Sequence, residues 1–463
     1  MEITAELIAQ TVAKILSEGE TKVGAAGNGI FEDVDSAATA ARTAYNEYLG
    51  CTMGFRGKVV QAIRDLASDE ENLRYMAEQC VEQTGMGNVP DKILKNRYAA
   101  LKTPGTEELV TGAWSGDDGL TTIELSPFGV IGAITPTTNP TETIINNSIS
   151  MLAAGNAVVF SPHPRAKAIS IWLVSKINEA LDAIGAPANL VSMVREPSIE
   201  HTNELMAHKE VNMLVATGGP GIVKTVLSSG KKAIGAGAGN PPVVVDETAN
   251  IEKAAKDIID GCTFDNNLPC TAEKEVIAVD AIADLLIFNM QKNGALLITD
   301  PEILARLQDL VMDGNRPKTE WVGKSAAAIL QGLGITPPPG VRCLSMEVDL
   351  MHPFVQTELM MPILPVVRAR DVDEAIDWAV ICEHGNRHTA IMHSTNVNAL
   401  TKMGKLLQTT IFVKNGPSFS GIGIGGEGYI CFTIAGPTGE GLTSASTFTR
   451  KRRCVLVGGL SVR

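Results

Sequence analysis

The sequence has few of the features that mark membrane, secreted or nucleic-acid-binding proteins. Aromatic residues make up only 4% of its 463 residues, and no apolar run approaches the roughly 18 residues that a transmembrane helix needs. The 39 basic residues are outnumbered by 52 acidic ones, so the net charge is −13 and a nucleic-acid backbone is a poor partner. The N-terminus lacks the basic-then-apolar pattern of a secretion signal. These absences predict a cytoplasmic globular protein without nucleic-acid or membrane partners.

Paired cysteine spacing is also missing. The eight cysteines are scattered along the chain, which predicts free thiols in a reducing cytosol and not a disulfide framework. Glycine is plentiful, with 44 residues, and favours tight turns and close approaches of the backbone. The length suits two or three domains.

The first 29 residues differ from the rest of the chain. Apolar residues recur at helical spacing over 1–18, which predicts an amphipathic helix. The segment 19–29 contains four glycines and predicts a flexible linker. A short helix on a tether is either a docking peptide for another protein or an element that packs on its own domain. The pattern alone does not separate these two interpretations.

Strands and helices alternate after a mostly helical stretch at 33–100. Continuous apolar strands, such as those at 129–134 and 157–160, are typical of parallel sheets covered on both faces. The alternation predicts an α/β fold with a doubly wound, Rossmann-like nucleotide-binding domain. It starts again after Gly235, which indicates a second α/β domain. Two strand-like segments outside the main sheets, at 120–126 and 452–457, suggest a subunit-pairing element.

Cys270 is the cysteine best placed for chemistry. It follows an Asn-Asn-Leu-Pro segment just after a predicted helix, and such a loop allows access to a thiol and tuning of its charge. The other cysteines, including Cys343 and Cys454, lie in apolar or helical contexts and are predicted to be inert core residues. The histidines at 384, 388 and 393 are not spaced on one helical face, so we expect structural or cofactor-lining roles and no metal site.

Three glycine-rich stretches are present, at 217–221, 235–240 and 421–428. The first lies between a predicted strand and a predicted helix, where backbone N–H groups face a phosphate in many proteins. None of them matches the dinucleotide fingerprint Gly-x-Gly-x-x-Gly in its required context. A P-loop is also rejected, because Lys318 stands where the motif before Gly323 and Lys324 requires glycine.

Taken together, the motifs closely resemble the aldehyde dehydrogenase superfamily, and within it the CoA-acylating propionaldehyde and acetaldehyde dehydrogenases of bacterial microcompartments. The resemblance covers essentially the whole chain. The motifs that carry it are Ile-Thr-Pro-Thr-Thr-Asn-Pro at 134–140, Ser-Pro-His-Pro at 161–164, Ala-Thr-Gly-Gly at 216–219, Gly-Ala-Gly-Ala-Gly-Asn-Pro-Pro at 235–242, Phe-Asp-Asn-Asn-Leu-Pro-Cys at 264–270, Thr-Glu-Leu-Met-Met-Pro at 357–362 and Pro-Thr-Gly-Glu-Gly at 437–441.

The resemblance implies covalent catalysis by Cys270. Its thiolate attacks the aldehyde, hydride passes to NAD, and the resulting thioester is taken by CoA in a ping-pong, reversible sequence. The oxyanion would be held by the backbone N–H of Cys270 and by the side chain of Asn139, with Thr138 as the alternative. By the same resemblance, the dinucleotide and CoA share one groove. Its expected residues are Thr135, Pro136, Thr137, Ser161, Pro162, His163, Thr217, Gly218, Gly219, Gly235, Ala236, Gly237 and Glu358.

Two departures from related enzymes affect the expected chemistry. Hydrolytic aldehyde dehydrogenases carry Glu-Leu-Gly-Gly, whose Glu activates water, whereas this chain has Gly-Ala-Gly-Ala at 235–238. Without that base a thioester persists until a thiol arrives, which favours CoA as the acceptor. Relatives often place Lys at the position of Ser161 to hold the adenosine ribose, so NADP is an alternative to NAD.

The resemblance also assigns domains and partners. It implies a nucleotide-binding domain at 30–108 and 128–236, a catalytic domain at 237–420 and an oligomerisation element at 109–127 and 441–463, in a homodimer or homotetramer. It implies that residues 1–18 are an encapsulation helix that docks on a microcompartment shell protein. The expected aldehyde is short and aliphatic. The alternatives are a hydrolytic aldehyde dehydrogenase, which the missing Glu disfavours, and an inactive nucleotide-binding scaffold, which the intact Cys270 motif disfavours.

Overall fold

Two parallel sheets and one antiparallel sheet form the framework of this computed structural model, which describes residues 27–462. The predicted helix at 1–18 and most of the predicted linker therefore lie outside the described residues. Over the described residues, no helix has both the length and the apolar character that crossing a bilayer requires. The strands, in chain order, are β1 (Ile30–Phe31), β2 (Gly112–Gly116), β3 (Gly119–Pro127), β4 (Val130–Thr135), β5 (Ala157–Pro162), β6 (Val191–Val194), β7 (Val211–Thr217), β8 (Lys232–Ala236), β9 (Pro242–Val245), β10 (Glu275–Val279), β11 (Ala295–Leu297), β12 (Met312–Asp313), β13 (Arg316–Pro317), β14 (Cys343–Glu347), β15 (Ile363–Ala369), β16 (Thr389–His393), β17 (Ile411–Lys414), β18 (Ile434–Ala435), β19 (Gly441–Leu442) and β20 (Thr449–Val457).

Helices connect and cover these strands. The α-helices are α1 (Val34–Tyr48), α2 (Met53–Ser68), α3 (Glu70–Thr84), α4 (Val89–Lys102), α5 (Pro140–Ala153), α6 (Lys167–Asp182), α7 (Ile199–Ala207), α8 (Pro220–Leu227), α9 (Ile251–Thr263), α10 (Asp280–Lys292), α11 (Pro301–Val311), α12 (Ala326–Gly332), α13 (Pro353–Gln356), α14 (Val372–Glu383) and α15 (Val397–Leu407). The predicted strands at 129–134 and 157–160 are confirmed as β4 and β5, and the mostly helical stretch at 33–100 contains α1 to α4.

The first sheet has the order β1-β6-β5-β4-β7-β8, and all its pairings are parallel. Every residue of β4 is buried, as expected for a strand covered on both faces. From β4 the chain moves outward to β5 and β6, then returns to the other side of β4 with β7 and β8. This reversal creates a crevice at the carboxyl ends of the strands, which is where ligands bind in open α/β sheets.

The second sheet has the order β11-β14-β15-β10-β9-β16-β17 and is also parallel throughout. The sequence pattern did not predict β14 or β15, although β15 lies in the interior of this sheet. Pro365 sits within β15 opposite Met346, and a proline normally argues against a central strand because it cannot donate to the ladder. Tertiary pairing overrides that local signal here.

The third sheet is the antiparallel set β2-β3-β20. It confirms that the segments at 120–126 and 452–457 are strands outside the main sheets. Strand β20 pairs with β3 over nine residues, from Thr449 with Pro127 to Val457 with Gly119, and most of its side chains are exposed. Strand β19, at the start of the predicted 441–463 element, pairs with β18 instead.

Candidate active site

A cavity of about 630 Å³ lies at the carboxyl ends of the first sheet and is closed on the other side by the Cys270 loop. It brings together segments that are far apart in sequence. Of the residues expected from the sequence, those that line it are Thr135, Pro136, Thr137, Asn139, Ser161, Pro162, His163, Thr217, Gly218, Gly219, Gly237, Cys270 and Glu358. The alternative oxyanion residue Thr138 lines it too.

Gly235 and Ala236 are the two expected residues that do not line the cavity. Both belong to β8 and are buried. A Cβ on Gly235 would lie 2.6 Å from Cγ1 of Val223, so the glycine lets α8 pack closely against the sheet. The structure therefore gives this position a packing role.

The Cys270 loop begins with an unusual turn. Asp265, Asn266 and Asn267 follow α9 in succession and all have positive φ angles, of 47°, 55° and 67°. Asp and Asn adopt this left-handed conformation more readily than other non-glycine residues. The Nδ2 of Asn267 donates to the backbone oxygens of Cys262 at 2.8 Å and Glu273 at 3.0 Å. The turn therefore fixes both ends of the segment that carries the thiol.

Lys274 also anchors the Cys270 loop through hydrogen bonds. Its buried Nζ donates to Oδ1 of Asn267 at 2.6 Å and to the backbone oxygens of Asn267 and Pro269 at 3.1 and 3.4 Å. Burial lowers the pKa of Lys274, while the neighbouring Glu358 and cysteine thiols act in the opposite direction. Its positive charge favours the thiolate of Cys270.

The Cys270 thiol itself is poorly ionised without ligands. Burial, and next the nearby carboxylate of Glu358, raise the pKa of Cys270 to about 12, and the charge of Lys274 only partly offsets them. Burial also raises the pKa of Glu358 to about 7, moderated by Lys274. The two groups are therefore linked, because an ionised Glu358 disfavours the thiolate.

This linkage predicts the effect of Glu358→Gln on thiol reactivity. Removing the carboxylate lowers the pKa of Cys270, so iodoacetamide should alkylate the ligand-free variant faster, by about tenfold or more at pH 9. At pH 6 wild-type Glu358 is mostly protonated, so the two proteins should react alike. The measurement is the alkylation rate of the Cys270 peptide from pH 6 to pH 9.

Glu275→Gln is the matched control for that experiment. Glu275 is buried and does not line the cavity, burial raises the pKa of its carboxyl well above the ordinary value, and Gln has nearly the same shape. We expect this variant to follow wild type throughout. Equal alkylation rates for Glu358→Gln and wild type across the whole pH range would contradict the linkage.

Asn139 immediately precedes helix α5, at its N-cap position, and lines the cavity. Its Oδ1 accepts a hydrogen bond of 2.5 Å from Nζ of Lys95, and its Nδ2 donates to Oγ1 of Thr138 at 3.2 Å. One Nδ2 hydrogen remains for a ligand. Lys95 was not predicted as part of the site, because nothing in the local sequence distinguishes it from a surface lysine.

The nucleotide end of the cavity is formed by short polar side chains and backbone. Oγ of Ser161 lies 2.8 Å from Oγ1 of Thr202 on α7, and Oγ1 of Thr217 lies 2.8 Å from Oγ1 of Thr433. Gly219 precedes α8, and a Cβ there would meet nothing within 4 Å, so the space beside this helix start is open. Exposed N–H groups at a helix start suit a pyrophosphate, so these residues fit a dinucleotide or CoA.

Another part of the cavity lining is apolar. Met86, Leu268 and Val322 form a buried cluster against which Met360 packs, and all four line the cavity near Cys270. They come from four distant segments, so no sequence pattern could have assembled them. Their arrangement suits a small hydrocarbon chain.

His388 lies behind the Cys270 loop. A Cβ on Gly239 would be 2.9 Å from both the backbone oxygen of Cys270 and Cγ of His388, so this glycine lets the ring approach the loop. Burial, and next Lys274, lower the pKa of His388 to about 4, so the imidazole is neutral. Within residues 27–462, no group of three or more His, Cys, Asp or Glu side chains is arranged to hold a metal.

The other cysteines differ from expectation in two cases. Cys454 was predicted to be an inert core residue but is exposed on β20, because the strand lies at the edge of its sheet. Cys51, between α1 and α2, is partly exposed. Cys80, Cys262, Cys343, Cys382 and Cys431 are buried as predicted.

The nucleotide-binding edge and the cysteine loop define an enzyme of the aldehyde dehydrogenase class, and comparison with known proteins supports this. The model of the aldehyde dehydrogenase family matches residues 9–303. The chain belongs to this family, as the sequence motifs predicted.

Individual relatives specify the group within the family. The chain is 50% identical over 458 residues to the propanal dehydrogenase (CoA-propanoylating) of Salmonella typhimurium, covering 98% of both chains. It is 63% identical to the propionaldehyde dehydrogenase of Rhodopseudomonas palustris, solved with bound CoA and an acylated cysteine, at a TM-score of 0.93 over 94% of this chain and 100% of that one. It is 52% identical to a propionaldehyde dehydrogenase from the fucose utilisation microcompartment of Clostridium phytofermentans, at a TM-score of 0.92 over 94% and 100% of the two chains.

Proposed function

We propose that this chain is a CoA-acylating aldehyde dehydrogenase that oxidises a short aliphatic aldehyde, propionaldehyde or acetaldehyde, with NAD. One observation carries the proposal. Cys270, Asn139 and Glu358 line one cavity, and the carboxyl ends of the strands of the first sheet line the same cavity. A relative of 50% identity is named a CoA-propanoylating propanal dehydrogenase, and one of 63% identity is named a propionaldehyde dehydrogenase. These names support the CoA-acylating function over the hydrolytic and scaffold alternatives.

The thiolate of Cys270 attacks the carbonyl carbon, and the resulting thiohemiacetal carries an oxyanion. The Nδ2 hydrogen of Asn139 and the backbone N–H of Cys270 donate to that oxyanion, while Oγ1 of Thr138 holds the other Nδ2 hydrogen. Bound NAD would supply the hydride acceptor, and loss of hydride from the thiohemiacetal carbon would leave a thioester on Cys270. CoA, as its thiolate, then attacks the acyl carbon, the new C–S bond to CoA forms, and the bond to Cys270 breaks with the cysteine leaving as thiolate.

Water is a weak competitor for this thioester. Among the described residues that line the cavity, Glu358 is the one carboxylate. Gly237 and Ala238 also line it, but their side chains cannot accept a proton from water. We infer that Glu358 binds the nicotinamide ribose, that Thr217, Gly218 and Gly219 bind the adenosine and phosphates, and that CoA enters the same groove once NADH has left. Related enzymes often hold the adenosine ribose with a lysine at the position of Ser161. Here that contact would come from Ser161, Pro162 and His163, so NADP is the alternative to NAD.

Product identification tests this function. The enzyme is incubated with propionaldehyde, NAD and CoA, and the products are separated by mass spectrometry. Propionyl-CoA formed in equal amount to NADH is the expected result. Free propionate as the main initial product would support the hydrolytic alternative.

We also propose the domain roles that the sequence suggested. The parts at 30–108 and 128–236 bind NAD and CoA, and the part at 237–420 supplies Cys270. The segments 109–127 and 441–463 pair subunits in a homodimer or homotetramer. The exposed side chains of β20, including Val455, Leu456 and Val457, support this role because an exposed apolar edge favours association.

The N-terminal helix is proposed to place the enzyme inside a bacterial microcompartment in the cytoplasm. Its apolar stripe would dock on a shell protein. Deleting residues 1–18 should leave NADH formation unchanged, because the active site lies within the described residues, but should abolish co-purification with the shell protein. Shell protein captured at unchanged yield by the truncated chain would refute the docking proposal.

A further inference from the structure

Four charged side chains form a buried cluster directly behind Asn139. Nζ of Lys95 lies 2.5 Å from Oδ2 of Asp265 and 3.0 Å from Oε1 of Glu142, and Nζ of Lys92 lies 3.1 Å from the same Asp265 oxygen. All four side chains are at most 1% exposed. Two positive charges therefore face two negative ones inside the protein, which is costly unless each is paired.

The chain geometry explains how the two lysines reach this place. Asn88 caps helix α4 by accepting the N–H of Asp91, and Pro90 lies in the first turn. Lys92 and Lys95 follow three residues apart on the same face of the helix, which turns inward. Asp265 reaches them from the turn that precedes Cys270.

The ammonium of Lys95 also determines which way the Asn139 carboxamide faces. A lysine ammonium can only donate hydrogen bonds, so the amide atom 2.5 Å from Nζ must be the oxygen. Lys95 is fully buried and does not line the cavity, whereas Asn139 does. The NH₂ group is consequently left on the side of Thr138 and the cavity.

We propose that Lys95 is a positioning residue that fixes the polarity of the Asn139 carboxamide, so that its NH₂ donates to the substrate oxyanion. A flipped amide would present its oxygen to the negative charge and would repel it. The inference rests on the proposed oxyanion role of Asn139. Asp265, in the turn before Cys270, contacts Lys92 as well as Lys95, so this turn keeps one ammonium when Lys95 is replaced.

The charge state of Lys95 agrees with this role. Burial alone would lower its pKa, but the charges of Asp265 and Glu142 more than offset burial, and the net effect is a raised pKa. Lys95 therefore remains an ammonium across the working pH range. Asn139 is consequently held in one orientation at every pH at which the enzyme operates.

Lys95→Met tests the proposal, with Lys92→Met as the matched control. Both variants remove one buried ammonium from the same helix face, but Lys92 contacts the backbone oxygen of Thr138 and not the Asn139 side chain. The readout is the single-turnover rate of NADH formation with saturating propionaldehyde and NAD but without CoA. We expect Lys95→Met to slow this step about 10²-fold or more, as loss of an oxyanion donor does, and Lys92→Met to retain most of the rate.

Two further measurements separate positioning from a general structural effect. Alkylation of Cys270 forms no oxyanion, so its rate should be the same in Lys95→Met as in wild type. In an Asn139→Ala background, adding Lys95→Met should cause no further loss, because Lys95 acts through the amide. If Lys95→Met does not fold, Lys95→Met with Glu142→Gln removes one charge of each sign and is compared with Glu142→Gln alone.

Four results would overturn the inference. They are a normal rate in Lys95→Met, equal slowing by Lys92→Met, a loss of Cys270 alkylation in Lys95→Met equal to its loss of rate, and multiplying effects of Lys95→Met and Asn139→Ala in the double variant. The proposed function is tested separately by Asn139→Ala alone. A full rate in Asn139→Ala would refute the oxyanion assignment itself. A slow Asn139→Ala with a normal Lys95→Met would refute only the role of Lys95.

Discussion

Cys270→Ala should reduce NADH formation from propionaldehyde on the order of 10⁶-fold, because removing the nucleophile removes the covalent route. The variant should also show no acyl mass on the peptide that spans residue 270 after incubation with aldehyde and NAD. Stopped-flow absorbance of NADH and peptide mass spectrometry measure the two effects. Dinucleotide binding should be retained, because the nucleotide end of the cavity does not depend on the thiol.

Cys51→Ala is the matched control for this loss. Cys51 is partly exposed, like Cys270, but it does not line the cavity. Its variant should keep wild-type rates. Substantial turnover by Cys270→Ala would mean that another residue is the nucleophile and would refute the proposed mechanism.

Omitting CoA should divide the reaction into two phases. One NADH per active site should form rapidly as Cys270 is acylated, and turnover should then fall about 10²-fold or more below the rate with CoA. The reason is that Glu358, the one carboxylate among the described lining residues, is assigned to the nicotinamide ribose, and Gly237 and Ala238 offer no base. General-base activation of water, worth about 10² to 10⁴ in rate, is therefore missing. The measurement is an NADH burst in rapid-mixing experiments, followed by addition of CoA.

A second thiol provides the control for the CoA experiment. A small thiol such as N-acetylcysteamine, which lacks the ADP moiety, should restore part of the rate at high concentration. An alcohol added at the same concentration should not restore the rate. Full turnover without any thiol would show that water deacylates the enzyme efficiently. That result would favour the hydrolytic alternative.

Much of the fold was predictable because its signals are local. The strand at 129–134 reads as a continuous apolar run, and β4 is indeed buried throughout. The turn at 217–221 joins a strand to a helix as its glycines indicated. Strand β15 was missed because Pro365 contradicts strand pairing locally, and the neighbouring strands decide its conformation.

The site was predictable only in part, for a similar reason. Cys270 could be singled out because its polar loop contrasts with the apolar contexts of most other cysteines. Lys95 could not, since a lysine on an amphipathic helix normally faces water. Its role depends on Asp265 and Glu142, which lie 170 and 47 residues further along the chain.

The sequence by itself predicted most of the strands and helices and the family, and it pointed to Cys270 as the candidate nucleophile, because these follow from residue patterns within short segments. Only the tertiary structure decided which charges are buried together, which apolar side chains line the cavity, and which way the Asn139 amide faces. Those properties depend on distances between segments remote in sequence, and the free energy of a buried charge is set by neighbours that the local pattern does not contain.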